Sequence, residues 1–580
     1  MEKKSREKLY NPERVNNFKE LINRSVKLYP EHIAFKYKLT PKDTNVITKT
    51  YSEFKKDIDR LGTALFDLGL QEKRIIVIAP NRYEWCVSYL AITTGNMVVV
   101  PLDKSLPENE IIESVIRSEA DAVIFSEKYI DTFKKIREDN TSNLKTYICM
   151  DLDKKTDDIL SYKELLSRGK DLITNGDYSH INTEIDNKKM SIMLFTSGTT
   201  SAAKIVMLSH HNICSNIYSL GCMAKVTDKD TFLSFLPLHH TYESTTTFLY
   251  GLYCGLTIAF CDGLRHIVNN LKEYKVTGFV TVPILLETMY KKIMQGIEKQ
   301  GKLKLFNRMT KVSNFLLKLH IDVRRILFKS VLKQLGGHLR VIVYGASSTD
   351  KNTVIGLSNI GINMLNGYGL TETSPVLSAE NDKYKRPGSV AFPMPGMEIK
   401  IEDPDENGVG EICAKGPCVM LGYYKNEEAT KEALAGGWFH TGDLGYYDKD
   451  GYLFIAGRKK NVIVLKNGKN VFPEEIELLI SKLPYVAENM VYDRPKENDD
   501  DIIVSAKIVY NKDIMKEMFP DANENEYHDI IWKDIKEINQ TMPKYKYIKH
   551  LIVTDEPMIK TTTQKVKRHE EIKKILKSEN

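Results

Sequence analysis

No stretch of this 580-residue chain is apolar for long enough to cross a bilayer. The most apolar run, 250–261, is only a dozen residues, against about 20 for a membrane-spanning helix. The opening residues, MEKKSREKLYNPERVNN, are charged and lack the apolar centre of a secretion signal. Paired cysteines are missing as well: the eight present form no CxxC and no metal-like His/Cys spacing. They read as buried free thiols of a reducing compartment. A net charge of +6 over so long a chain is too mild to imply nucleic-acid binding. Internal repeats and low-complexity tracts are absent. These gaps exclude secreted, membrane-spanning, zinc-ribbon and nucleic-acid-binding classes. They leave a cytoplasmic globular protein, either free or peripheral on the inner face of the membrane.

A single core stops growing at roughly 250–300 residues, so at least two domains are expected. The first three-quarters alternates short, uniformly apolar segments (74–79, 97–102, 121–126, 191–195, 278–283 and 340–344) with amphipathic ones such as 52–68 and 107–118. Uniform apolarity is what a strand covered on both faces requires, so this region predicts α/β layers with largely parallel sheets. Beyond Gly457 the pattern changes to strands at 485–493, 501–510 and 550–555 with helices at 473–482 and 526–541. The expected boundaries are 1–457 for a large N-terminal domain and 458–580 for a small α+β domain. Between them, 299–340 carries eleven Lys/Arg and one acid, Asp322, with apolar residues at helical spacing. It reads either as a solvated helical excursion or as an interfacial helix that meets anionic headgroups.

Three segments carry chemistry. In Phe195-Thr196-Ser197-Gly198-Thr199-Thr200-Ser201-Ala202-Ala203-Lys204, a buried strand runs into small and hydroxylated residues and then a lysine. Such a turn can aim N–H groups and hydroxyls at a polyphosphate, although it is not a Walker A loop. Alone it equally describes an ordinary Ser/Thr-rich turn. In Asn366-Gly367-Tyr368-Gly369-Leu370-Thr371-Glu372-Thr373, glycines permit close backbone approach. Tyr368 offers a flat face for a base, Thr371 a hydroxyl for a phosphate, and Glu372 a hard oxygen for Mg2+. In Trp438-Phe439-His440-Thr441-Gly442-Asp443, followed by Gly457-Arg458, a carboxylate can accept from both ribose hydroxyls while Arg458 adds a donor. The plain alternative there is a β-turn, as at Asp448-Lys449-Asp450-Gly451.

In this order and separation the three segments resemble the adenylate-forming superfamily of acyl-CoA synthetases, luciferases and peptide-synthetase adenylation domains. Leu236-Pro237-Leu238-His239-His240-Thr241-Tyr242-Glu243, Gly410-Glu411-Ile412, Gly422-Tyr423-Tyr424 and the loop 468–477 are further matches. The resemblance spans about 51–568. Within it, the basic excursion, 236–243 and Lys385-Arg386-Pro387-Gly388-Ser389-Val390 look like bacterial long-chain fatty acid–CoA ligases. The sequence departs from the family pattern in two places. Ser201, Ala203 and Ile205 stand where Gly, Pro and Gly are usual, and Gln564 replaces a glycine before Lys565.

The resemblance implies ATP, Mg2+ and coenzyme A as reactants and cofactors. It assigns Thr196, Ser197, Gly198, Thr199, Thr200 and Lys204 to the phosphates. Tyr368 stacks on the adenine, Gly345 and Ala346 wall that pocket, Asn366, Gly367 and Gly369 belong to the same nucleotide-binding segment, and Thr371 faces a phosphate. Asp443 and Arg458 grip the ribose, while Glu372 holds the metal. Lys565 reaches the α-phosphate and the carboxylate during adenylation. Lys460 marks the hinge about which the small domain rotates before thiol attack, and His240 lines the acyl site with His239 solvated beside it. The implied acyl partner is a medium- to long-chain fatty acid. The alternatives are transfer to an acyl carrier protein, an aryl or amino acid substrate, or a non-catalytic lipid-binding scaffold.

Overall fold

The computed structural model describes residues 8–196, 203–466, 469–495, 502–560 and 566–579, with side chains to 577. Lys565 and the phosphate-loop residues Ser197, Gly198, Thr199 and Thr200 lie outside them. The chain divides into two compact units, one built from 1–196, 204–399 and 414–439, the other from 197–203, 400–413 and 440–580.

The first unit holds two large sheets. In the nine-stranded sheet, Ile33–Tyr37, Thr257–Phe260, Thr231–Ser234, Gly278–Thr281, Val341–Gly345 and Asn363–Gly369 run parallel in that spatial order. Antiparallel strands flank them: Ile47–Thr50 at one edge, Val376–Ala379 and Phe392–Pro393 at the other. The eight-stranded sheet centres on Arg74–Ile78, which lies parallel to both Val98–Pro101 and Ala122–Phe125. It continues through Met190–Phe195, whose antiparallel partner Ile205–Ser209 pairs in turn with Gly422–Tyr423. Apart from Arg74 at its edge, the central strands Arg74–Ile78 and Val98–Pro101 are buried along their length, as strands covered on both faces are.

Helices begin where their caps allow. Tyr51–Asp67 opens on a capping box between Thr50 and Glu53, and His210–Met223 on one between Ser209 and Asn212. A buried histidine, His180, slots its ring against two glycines: a Cβ on Gly62 would stand 2.2 Å from it, and one on Gly95 2.8 Å. No helix among the described residues is long and apolar enough to cross a membrane.

The second unit contains strands Phe439–Tyr447 and Leu453–Arg458 of a four-stranded sheet, joined by the β-turn at Asp448–Gly451. Its three-stranded sheet comprises Val486–Pro495, Ile502–Tyr510 and His550–Thr554, with helices Pro473–Ile480 and Tyr527–Gln540 completing the core. These bounds fall within a residue or two of those expected from periodicity.

Candidate nucleotide and acyl site

In the first unit the chemistry-bearing residues gather where parallel strands end. Thr196 follows Met190–Phe195, His240 follows Thr231–Ser234, Ala346 follows Val341–Gly345, and Glu372 follows Asn363–Gly369. Carboxyl ends of parallel strands are where open α/β sheets bind ligands, because the loops there are free to vary while the strands hold position.

The phosphate loop is closed at its neck. Thr196 donates to the Lys204 carbonyl twice, from its backbone N at 2.9 Å and from Oγ1 at 3.2 Å. Lys204 leaves the loop with its Nζ 4.6 Å from the centre of the Tyr423 ring, a cation–π contact. Tyr423 then donates from its hydroxyl to Glu372 Oε1 at 3.0 Å. Backbone bonds secure this chain of contacts: Tyr423 pairs with Val206, Leu421 N donates to Met207 O, and Met420 N donates to Glu372 O at 2.8 Å. The segment 420–424 therefore ties the loop lysine to the carboxylate expected to hold metal. Among the described residues, Glu372 Oε2 has no hydrogen-bond partner, so a hard anionic oxygen remains for a divalent cation.

Gly345 and Gly367 meet in register on neighbouring parallel strands. A Cβ on Gly345 would lie 2.4 Å from the Gly367 carbonyl oxygen, so only glycine fits. Ala346, just beyond, adopts φ 74° and is exposed. Tyr368 is half-buried in the next strand. Asn366 braces the strand from within the protein, because its Nδ2 donates to Ser389 O at 2.7 Å and its backbone N donates to Glu380 Oε2 at 2.9 Å. Gly369 approaches so closely that a Cβ would strike the Pro375 carbonyl. Thr371 is half-buried beside Glu372 in a single 3₁₀ turn.

The 236–243 segment is clamped by Asn81, which donates from Nδ2 to Leu236 O at 2.7 Å and accepts from Leu238 N at 3.1 Å. The expectation that His239 is solvated is wrong. It is only 9% exposed, with its Nε2 3.3 Å from Asp103 Oδ2 and 3.1 Å from His240 Nε2. Asp103 draws it inward, and nothing near 239 in the sequence announces that partner. His240 is half-buried and carries the polar edge of the group. Three residues on, Glu243 is fully buried and accepts from Ser234 Oγ at 2.6 Å and Thr247 Oγ1 at 3.1 Å. Burial pushes its carboxyl up to about 8, against the pull of those two donors. The helix that follows winds into a π segment over Ser244–Leu249, a form that often accompanies functional sites.

In the second unit, Thr441-Gly442-Asp443 lies in a strand, not in a β-turn. Gly442 sits at φ 69°, and Asp443 faces Arg458 as its cross-strand neighbour. Arg458 Nε stands 2.7 Å from Asp443 Oδ1, so the two residues expected to grip a ribose first grip each other. Lys460 follows in a 3₁₀ turn. The strands also bring together a cluster that linear spacing hides. Cys413 Sγ lies 3.4 Å from His440 Nδ1 and 3.5 Å from Glu402 Oε2. Lys400 and Lys459 already neutralise the acids around it, Glu402 and Glu411, at 2.6 and 2.8 Å. The group is a satisfied ion-pair network, and burial pushes the thiol up to about 12. All eight cysteines are free, six of them buried.

Sequence reasoning does not single out Asn81, Asp103 or Tyr423 as site residues. The Gly-Tyr pair at 422–423 is visible as a motif, but its contact with Glu372 is not.

A profile described as "AMP-binding enzyme" matches residues 22–424, and one described as "AMP-binding enzyme C-terminal domain" matches 460–577. A long-chain-fatty-acid–CoA ligase 5 of Rattus norvegicus is 32% identical over 464 residues, 75% of this chain and 67% of that protein. A fatty acyl-CoA synthetase B of Dictyostelium discoideum is 30% identical over 76% of this chain and 69% of its own length. A long-chain-fatty-acid–[acyl-carrier-protein] ligase of Arabidopsis thaliana is 27% identical over 90% and 80%. Among solved structures, ATP-bound MatB from Rhodopseudomonas palustris superposes with TM-score 0.73 at 23% identity, covering 96% of this chain and 98% of that one. With the profile running unbroken through the phosphate loop, the Tyr368 strand and the Tyr423 segment, the chain belongs to the AMP-binding enzyme family.

Proposed function

We propose that the protein activates a long-chain fatty acid with ATP and hands the acyl group to coenzyme A. The observation that carries this reading is the run Lys204–Tyr423–Glu372, a phosphate-side cation and a metal-side carboxylate fixed on one scaffold. The relatives named as fatty acyl-CoA synthetases and CoA ligases supply the substrate class.

In the first half-reaction the fatty acid carboxylate attacks the α-phosphorus of ATP, the bond to the β-phosphate oxygen breaks, and pyrophosphate leaves. Positioning and charge neutralisation do most of the work in such a displacement. Thr196, Ser197, Gly198, Thr199, Thr200 and Lys204 cradle the departing phosphates. Gly345, Ala346, Gly367, Tyr368 and Gly369 bound the adenine, Asn366 braces that wall from behind, and Thr371 bonds a phosphate oxygen. Glu372 holds Mg2+, which when bound neutralises phosphate charge. Lys565 brings a cation to the α-phosphate and carboxylate, while Asp443 and Arg458 orient the ribose.

In the second half-reaction the thiolate of coenzyme A attacks the acyl carbon, the mixed anhydride bond breaks, and AMP departs. Residues 458–580, turning about Lys460, remove Lys565 from the acyl-adenylate and open the thiol's path. His240 lines the acyl site, with Asp103 and His239 setting its orientation.

The 27%-identical relative named as a carrier-protein ligase keeps a second acceptor in view. The test is AMP release from purified protein with ATP, Mg2+ and acids of increasing chain length, run with free coenzyme A or holo-acyl carrier protein. Long-chain-dependent AMP release with coenzyme A supports the proposal. Release only with the carrier reassigns the acceptor, and none with any acid sinks both readings.

A further inference from the structure

The helix Leu303–Lys318 has two apolar faces, and only one of them is used by the fold. Phe306 and Ser313 are buried on the inner side, with Met309 packed against the core. On the other side Leu305, Val312, Phe315 and Leu319 recur at intervals of seven, three and four, and each is half or more exposed. At 3.6 residues per turn these four form one stripe along the solvent side. Lys304, Lys311 and Lys318 recur at heptad spacing, each one residue before Leu305, Val312 and Leu319, so a row of exposed lysines borders the stripe. The chain then turns through Ile321 and Ile326, 51% and 75% exposed, which extend the apolar surface. The lone acid of the stretch, Asp322, is held by Arg324 through both carboxylate oxygens at 2.9 and 2.7 Å.

We propose that this outer face, an apolar stripe edged by lysines, is a docking surface for an anionic phospholipid bilayer. An apolar stripe beside a basic row and free of acids matches the boundary between acyl chains and anionic headgroups. A water-soluble protein leaves such a surface uncovered only at a cost in solubility, so exposed continuity of this kind marks an interaction site. Charge complementarity favours lipid over a second copy of the chain, because two copies would set lysine rows of like sign against each other. The surface deepens the proposed use of long-chain fatty acids, since a bilayer is where such substrates partition.

Arg324 and Arg325 are poor probes of this surface. Arg324 donates to Ser358 O at 3.0 Å and Arg325 to Leu339 O at 2.8 Å, so they brace the fold. The test uses the full chain in vesicle flotation, with phosphatidylcholine alone or mixed with phosphatidylglycerol. Wild-type protein should float with the anionic vesicles in a salt-sensitive manner and much less with the neutral ones. K304Q/K311Q/K318Q should lower that partitioning on the order of a hundredfold, since each cation contributes about fivefold. F315N/L319N should lower it at low and high salt alike. Both variants should release AMP at wild-type rates with a short, water-soluble acid, which shows that they remain folded. Equal binding of wild type to both vesicle types, retention by both variants, or burial of the stripe in a dimer by analytical ultracentrifugation would overturn the proposal. Flotation without any acyl-CoA synthesis would leave this surface standing and sink the proposed function; synthesis without flotation would do the reverse.

Discussion

Arg458 Nε lies 2.7 Å from Asp443 Oδ1, and the two side chains sit opposite each other on adjacent antiparallel strands. Asp443 is 5% exposed, so removing Arg458 takes a close counter-charge away from a buried carboxylate. Arg458→Met should therefore lower stability by about 2 kcal/mol, the scale of a lost hydrogen bond to a charged group. A fall in the urea midpoint together with a higher KM for ATP is expected. A higher KM at unchanged stability would mean that the pair contributes only to ribose binding.

Tyr423 links a cation to a carboxylate through opposite sides of its chemistry, ring face and hydroxyl. Tyr423→Phe keeps the face for Lys204 and removes the donor to Glu372. One hydrogen bond is worth about 1 kcal/mol, so the Mg2+ concentration giving half-maximal AMP release should shift about fivefold. Tyr423→Leu should in addition weaken pyrophosphate-dependent exchange, because Lys204 loses its platform. Identical behaviour of the two variants would show that the ring contact is idle.

Lys565→Ala should abolish fatty-acid-dependent ATP–pyrophosphate exchange while leaving thioester formation from supplied acyl-adenylate largely intact. Equal loss of both halves would contradict a role confined to adenylation.

Three buried groups shape the pH dependence of stability. His210 and His180 are each pushed down to about 4 by burial. His210 is held neutral with Nδ1 accepting from Phe18 N at 3.3 Å and Nε2 donating to Thr93 O at 3.1 Å. The unfolded chain takes up these protons near pH 6.5 and the folded chain does not, so stability falls as pH drops from about 6.5 towards 4. Glu243 works in the opposite direction. Its folded carboxyl keeps a proton up to about 8. Its contribution is therefore full below about 4.5 and is lost as pH rises to 8. These three groups alone favour the fold most near pH 6.5. Glu243→Gln should flatten the alkaline limb and steepen the acid limb, because between about 4.5 and 6.5 the carboxyl opposes the histidines; a steep alkaline limb in that variant would locate its cause elsewhere.

Much of this architecture is legible before any coordinates. Uniformly apolar strands such as Arg74–Ile78 announce themselves because both faces are covered, and the helix Tyr51–Asp67 because its cap and its periodicity agree. What escapes is whatever depends on distant partners. His239 is buried because Asp103 arrives beside it, and Cys413 meets His440 because two strands pair. The strand through Thr441-Gly442-Asp443 resembles a turn locally, since Gly442 carries the positive φ of one. The outer stripe of Leu303–Lys318 is partly visible as helical spacing in a basic segment. Which of its faces the core claims depends on Phe306 finding Phe328 at 5.1 Å.

The doubled bond from Thr196 to the Lys204 carbonyl works like a drawstring. A strand end and a lysine tied to each other in this way hold their spacing before any ligand arrives, so the cation over the Tyr423 ring does not wander from the strand that leads to it.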